Sequence, residues 1–435
     1  PAARAAVCRA GCWYTATAAD AHEMFQTQTG AFGDVEGTLR WESARSYCFE
    51  HTEQHIVFVD ESNHVAGLVH IHDHPIQVGL CAVRKADVGH VAIRPELQGQ
   101  GIGTRMMQET VAWLRGEGYH LSRLGGRASF YSRFGYEPFP RRFVQIKLGP
   151  VPIGGGSALP ASEAFADAGE WPGQVRPYDE SRDLEDRTRL RWEYDHGRSG
   201  ALVVERACHP GRHPAPPDAK ALRWIYEREG EVLGYLHAVE APLESTESET
   251  VFTIAEFAYA PAFPDAAGAL MRMLLSRICD RGPARVTSRL PFDEALSEAL
   301  VAAEVPHERL EMHQAMASNM ILVANLEATL QAIAPELSRR LAGSLVADWE
   351  GAIELSLPAE RCMLAVTGGE VCVTEEPVQP DLRLELTQAQ FVKSLFGIAA
   401  LTEMPPARAS SLSPTLRGLL DALFPRLQAG SGPWG

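Results

Sequence analysis

Apolar and polar positions alternate from His55 to His70, HIVFVDESNHVAGLVH, in two runs parted by a polar Glu61-Ser62-Asn63 turn, which predicts a β-hairpin. A further strand is expected from Asp87 to Ile93. Beyond it the period lengthens. In GIGTRMMQETVAWLRGEG, Gly101 to Gly118, the residues Met106, Val111 and Leu114 recur at helical spacing, and Gly116 and Gly118 end the run. A short strand (Leu121 to Leu124), a short helix (Ser129 to Phe134) and a last strand (Phe143 to Leu148) complete a unit of helix and strand over residues 1–149. The next stretch, GPVPIGGGSALPASEAFADAGEWPG, is dense in Gly, Pro, Ala and Ser, and residues 150–172 read as a linker.

The pattern then repeats. Residues 221–239, ALRWIYEREGEVLGYLHAV, form a second hairpin with Gly234 in the place of Gly67. Gly67 lies 28 residues before Pro95 and Gly234 lies 27 before Pro261, and a helix follows each proline. Superposing the prolines sets Pro264 on Gln98, Asp265 on Gly99, Ala267 on Gly101 and Ala269 on Gly103. The second copy, residues 173–316, has lost its glycines and carries a carboxylate where the first has an open turn. It reads as a degenerate duplicate. Residues 317–435 change to helix, strand, a hairpin around Gly368-Gly369, strand and further helices, a third unit without catalytic spacing. The expected fold class is α+β (α/β), two tandem copies followed by a third α+β domain.

Composition narrows the function. A chain of 435 residues exceeds what one core supports, in keeping with several domains. No apolar run approaches the ~18 residues needed to span a bilayer, so no membrane association is expected. The first residues, from Pro1, lack a basic segment leading into an apolar stretch and cleavage site, which points to a cytoplasmic protein. Eight scattered cysteines show no Cys-x-x-Cys spacing and read as reduced thiols, with no metal site. The net charge of −16 argues against a nucleic-acid partner and is compatible with a cationic small substrate. His70, His72 and His74 alternate on a strand, but such polar positions usually face solvent. Strand alternation puts Val88, His90 and Ala92 on one face and Asp87, Gly89, Val91 and Ile93 on the other, so His90 reads as structural.

Chemistry concentrates in Val91-Ala92-Ile93-Arg94-Pro95-Glu96-Leu97-Gln98-Gly99-Gln100-Gly101-Ile102-Gly103-Thr104, a strand, a glycine-rich turn and a helix N-terminus. Glycines let backbone N–H groups approach an anion, and the helix start adds unpaired donors and partial positive charge. A pyrophosphate is the natural guest. A dinucleotide fingerprint would need Gly-x-Gly-x-x-Gly, whereas the order here is Gln-x-x-Gly-x-Gly.

At these residues the sequence resembles the GCN5-related N-acetyltransferase (GNAT) superfamily, whose pyrophosphate loop has the pattern Gln/Arg-x-x-Gly-x-Gly/Ala. The segment Ser129-Phe130-Tyr131-Ser132-Arg133-Phe134-Gly135-Tyr136-Glu137 is similar to a second signature of that superfamily. The whole chain resembles the narrower enhanced intracellular survival (Eis-like) type: an active acetyltransferase domain, a degenerate copy and a sterol-carrier-like domain. The last rests on PDLRLELTQAQFVKSLFG, a far less specific motif.

The resemblance implies acetyl-CoA as co-substrate, bound by Gln98, Gly99, Gln100, Gly101, Gly103 and Thr104, with the pantetheine arm along the backbone of Val91 and Ile93. It assigns Tyr131 as the general acid that protonates the departing thiolate. It further implies transfer to a primary amine of a small molecule, aminoglycoside-like or polyamine-like, and a homo-oligomer, hexameric in the family. For the general base two carboxylates stand open. The narrower family uses the chain's own terminal carboxylate, here on Gly435, although the ending Pro433-Trp434-Gly435 departs from its usual Phe. Asp87, eleven residues before Gln98, is the other. A non-catalytic acyl-CoA-binding protein and a lipid carrier are the competing readings.

Overall fold

A computed structural model of the protein describes residues 12–146, 151–153, 157–159, 165, 170–203, 222–241, 250–279, 284–287, 290–313, 318–376, 378–404 and 412–427. The first unit runs β1 (Trp13–Thr15), α1 (Ala21–Phe32), α2 (Leu39–Glu50), β2 (His55–Val59), β3 (Val65–Asp73), β4 (Ile76–Val78), β5 (Cys81–Val83), β6 (Lys85–Ile93), α3 (Ile102–Gly116), β7 (Leu121–Gly126), α4 (Ala128–Tyr131), β8 (Glu137–Pro138) and β9 (Arg141–Ile146). After the short pair β10 (Val151–Ile153) and β11 (Ser157–Leu159), the middle unit runs β12 (Gln174–Pro177), α5 (Glu180–Asp195), β13 (Leu222–Arg228), β14 (Glu231–Glu240), β15 (Thr250–Tyr259), α6 (Asp265–Ile278), β16 (Ala284–Thr287), α7 (Glu294–Ala302) and β17 (His307–Met312). The last comprises β18 (Ser318–Val323), α8 (Leu326–Ala342), β19 (Gly351–Ser356), β20 (Arg361–Thr367), β21 (Glu370–Thr374), β22 (Leu382–Glu385), α9 (Gln388–Leu395) and α10 (Pro414–Leu423). No helix among the described residues is long and apolar enough to cross a membrane.

The hairpin and the helix stand where the periodicity predicts them. Met106, Val111 and Leu114 of α3 are buried with Met107, against Val69, Val88 and Leu124 of the sheet. The opposite sheet face, Val57, Leu68 and Ala92, is covered by Met24 of α1 and Cys48 of α2.

The first and middle sheets share a path. The order β1-β2-β3-β6-β7 in one matches β12-β13-β14-β15-β16 in the other, and the last pair of each is parallel. Gly67 and Gly234 do the same job: a Cβ on Gly67 would lie 3.1 Å from Met106 of α3, and one on Gly234 3.1 Å from Ala266 of α6. The two units differ where the glycines differ. α6 starts at Asp265, the counterpart of Gly99, three residues earlier than α3 does, and Asp265 accepts a hydrogen bond from the Tyr226 hydroxyl at 2.9 Å. A carboxylate thus stands at the first residue of this helix, and the N–H groups of Ala266 and Ala267 are taken by Phe263 O and Pro264 O.

Strand exchange binds the units together. The expected last strand of the first unit, placed at Phe143 to Leu148, is present as β9, but it pairs with β17, and Val144 and Ile146 lie in the middle unit's core. In return β18, from beyond the middle unit, enters the first sheet between β7 and β8, whose order becomes β1-β2-β3-β6-β7-β18-β8. The last unit's sheet, β21-β20-β19-β22, and its helices share one apolar core with Ile76, Val78 and Val83 of the β4–β5 hairpin. Glu137 reaches into that unit and accepts the N–H groups of Gln388 and Ala389, at 3.1 and 2.9 Å, at the start of α9.

Candidate active site

The glycine-rich turn begins where β6 ends. Arg94 is held by Asp60 and Glu96 at 2.7 and 2.8 Å, and a 3-10 turn, Pro95–Leu97, leads to Gln98. Gly99 and Gly101 have φ of 76° and 84°, a region that side chains disfavour, and Gly101 is the residue on which α3 starts. Among the described residues nothing lies within 4 Å of a Cβ built on either. Among the described residues, the N–H groups of Gly99, Gln100, Gly101, Ile102 and Gly103 meet no acceptor, and the first donor engaged is that of Thr104, to Gly101 O at 3.0 Å. The side chains of Gln98 and Gln100 do not reach outward. They donate to Ile93 O and Glu96 O, each at 3.1 Å, and brace the loop. What this loop offers an anion is therefore backbone.

A wedge opens beside it. β6 and β7 pair from Lys85–Leu121 to Val88–Leu124 and then part, although both strands continue. At the parting point β6 carries a bulge: Gly89 pairs with His70 and Ala92 with Leu68, leaving His90 and Val91 opposite one residue, and His90 takes φ 47°. The extra residue resets the alternation. Val88, Val91 and Ile93 pack toward α3, and Ala92 lies on the other face. The expected faces are thereby corrected: Val88 and Ala92 do not share one, and Asp87 does not share one with Val91 and Ile93.

The parted strands, α4 and the α1–α2 pair enclose a cleft of about 700 Å³ lined on one side by Val88 to Val91, Gly125, Gly126, Phe130 and Tyr131, and on the other by Gln28, Phe32, Asp34, Arg40, Ser43 and Tyr47. Arg127 completes the rim. Tyr131 lies against Gly126, where a Cβ would come within 2.2 Å of its ring, so the second glycine of the Gly125-Gly126 pair leaves the space the phenol fills. Burial raises its pKa and keeps it protonated.

His90, read as structural from the sequence, lines the cleft. Its Nδ1 contacts the Gln28 amide, and its ring packs on Tyr47 at 4.9 Å, which in turn packs on His70 at 4.7 Å. Burial lowers the pKa of His90, with Asp34 raising it and Arg40 lowering it. Asp34 itself is 4% exposed and ion-paired with Arg40 at 3.0 Å. His72 and His74 stack on one another at 3.9 Å, and among the described residues no three His, Cys, Asp or Glu side chains are grouped to hold a metal.

Asp87 stands apart from the cleft lining, bound to His74, Lys85 and Arg123 at 2.7, 2.8 and 3.0 Å. Burial pushes its pKa up, but the hydrogen bond from His74 and the charges of Lys85 and Arg123 outweigh that and hold the carboxyl far below its usual range. A carboxylate so held is a poor proton acceptor. Gly435 lies outside the described residues. Nothing in the sequence pattern marks Gln28, Asp34, Arg40, Tyr47 or Arg127, which the fold gathers from three separate elements.

The family model for an acetyltransferase (GNAT) domain matches residues 14–139. No curated protein matches the chain in sequence. Solved structures resemble it over nearly its full length: a conserved protein of unknown function from Enterococcus faecalis (14% identity, 96% of each chain, TM-score 0.66), a GCN5-related N-acetyltransferase from Anabaena variabilis (16%, 98% of each, 0.63) and Eis1 from Mycobacterium abscessus (16%, 98% of each, 0.58). An open donor loop, a splayed parallel strand pair and a phenol above it thus lie within the matched segment, and residues 14–139 are an acetyltransferase domain of the GNAT family in a chain that shares its whole fold with GCN5-related N-acetyltransferases.

Proposed function

We propose that the protein transfers an acetyl group from acetyl-CoA to the primary amine of a small molecule, by direct attack in a ternary complex. One observation carries this reading: the loop with five unengaged N–H groups follows β6, and Tyr131, which follows β7, lines the cleft that opens where those two strands part. The backbone of Gly99 to Gly103 would hold the pyrophosphate, and Val91 and Ile93 would hold the pantetheine arm. The amine nitrogen forms a bond to the thioester carbonyl carbon, the carbon–sulfur bond breaks, and the thiolate takes the Tyr131 proton.

An alkylammonium of pKa near ~10 must first lose a proton. With Asp87 locked in ion pairs, the acceptor favoured here among the described residues is His90, neutral by burial. The Gln28 amide N–H donates to Nδ1, so the neutral ring carries its proton on Nε2, and Nδ1 takes the amine's proton once the amine displaces Gln28. The net charge of −16 draws cations, aminoglycoside-like or polyamine-like, toward the molecule as a whole. In the cleft itself the described lining carries one paired carboxylate and two guanidinium groups. On the same reading the protein is a cytoplasmic homo-oligomer with a sterol-carrier-like last domain, and sedimentation decides whether it is a hexamer.

The test is turnover of acetyl-CoA against a panel of amines, read by thiol release. Acetyl-CoA binding by calorimetry without turnover on any amine would favour a non-catalytic acyl-CoA-binding protein instead.

A further inference from the structure

The charges inside the cleft run against those of the chain. A molecule of net charge −16 places a single carboxylate, Asp34, in the described lining of its acceptor side, and that carboxylate is buried and neutralised by Arg40. The Arg40 side chain is 67% exposed, and its Nε lies 3.0 Å from Asp34. Arg127, exposed at the junction of β7 and α4, has no hydrogen bond or ion pair from its side chain among the described residues. A site for polyamines would be expected to offer unpaired carboxylates. This one offers guanidinium groups with unused donors, beside the rings of Phe32 and Tyr47.

Resting on the acetyltransferase reading, we infer that the acceptor is an amine that also bears a carboxylate, whose anionic end is held by Arg127 and the outer nitrogens of Arg40. Guanidinium presents paired N–H donors that match a carboxylate, and such charge-assisted bonds are stronger than neutral ones. The body of the acceptor lies between Phe32 and Tyr47, and its amine faces His90 and the thioester. The Asp34–Arg40 pair fixes the arginine in place, so Asp34 is a positioning residue.

The experiment compares short ω-amino acids with alkylamines and diamines of matched length. It measures kcat/KM at saturating acetyl-CoA and, separately, binding of each amine to the protein–CoA complex by calorimetry. The amino acids are expected to exceed the alkylamines by about 10- to 100-fold, the worth of one charge-assisted bond, with the diamines weakest. Arg127→Gln should erase the preference for the acid while acetyl-CoA affinity stays unchanged. Diamines or alkylamines used as well as the acids would overturn the inference. So would a loss of acetyl-CoA affinity in Arg127→Gln, which would assign that arginine to the co-substrate. Binding in the expected order without any turnover would sink the catalytic reading and leave this one standing.

Discussion

Tyr131 can give up a proton only if it holds one, and its burial against Gly126 and Phe130 ensures that. Tyr131→Phe keeps the ring and removes the proton, so kcat should fall by about 10²-fold or more while acetyl-CoA affinity is retained; an unchanged kcat would take Tyr131 out of the mechanism. His90 has the converse requirement. It accepts a proton only when neutral, and since burial sets its pKa below 6.5, activity should be full at neutral pH and fall on the acid side at a pH below that value. His90→Gln should lower kcat/KM and abolish that acid limb; a limb that persists unshifted in the variant belongs to another group. Asp87→Asn separates support from catalysis. It removes a carboxylate from beside the fully buried Lys85 and should cost about 3 kcal/mol of stability in chemical denaturation, with no shift of the acid limb.

Two backbone departures in one strand and turn build the site at the level of elements. The bulge at His90 brings an imidazole into the cleft lining, and the left-handed glycines that follow leave five N–H groups without an acceptor among the described residues. Gly101→Asp adds a carboxylate at the start of α3, in a conformation side chains disfavour, and should abolish acetyl-CoA binding in calorimetry while circular dichroism stays native. The middle unit carries a related replacement two residues earlier: Asp265, tied to Tyr226, is the counterpart of Gly99 in the first. One binding site per chain is therefore expected, and two equivalent sites in the same titration would contradict it.

Across the whole molecule the exchange of β9 for β18 makes the units interdependent. Without β18, strand β7 would present an open edge and α3 would lose part of the core that Met320 and Leu322 supply. A fragment of residues 1–149 should therefore be aggregated or unfolded by gel filtration and circular dichroism, even though it contains every residue of the matched acetyltransferase segment. A monomeric, folded fragment that binds acetyl-CoA would show that the exchange is dispensable. Glu137 strengthens the same dependence by holding the start of α9 from within the second signature.

Local chemistry determined by itself the elements whose cause is local. The 3.6-residue stripe of Met106, Val111 and Leu114, the hairpin around Asn63, the glycines of the anion loop and the repeat that equates Gly67 with Gly234 were all legible, because periodicity and positive φ are written residue by residue. The bulge was not legible, since one extra residue in a ladder is a property of two strands, and the error it caused moved Asp87 onto the wrong face and His90 out of consideration. Nor was the acceptor side. Gln28, Asp34, Arg40, Tyr47 and Arg127 meet only because α1 and α2 fold over the edge where β6 and β7 part. The exchange of β9 for β18 was decided by tertiary structure for the same reason: a strand's sequence states that it needs an apolar face and a partner edge, and only the assembled sheets state whose edge it is.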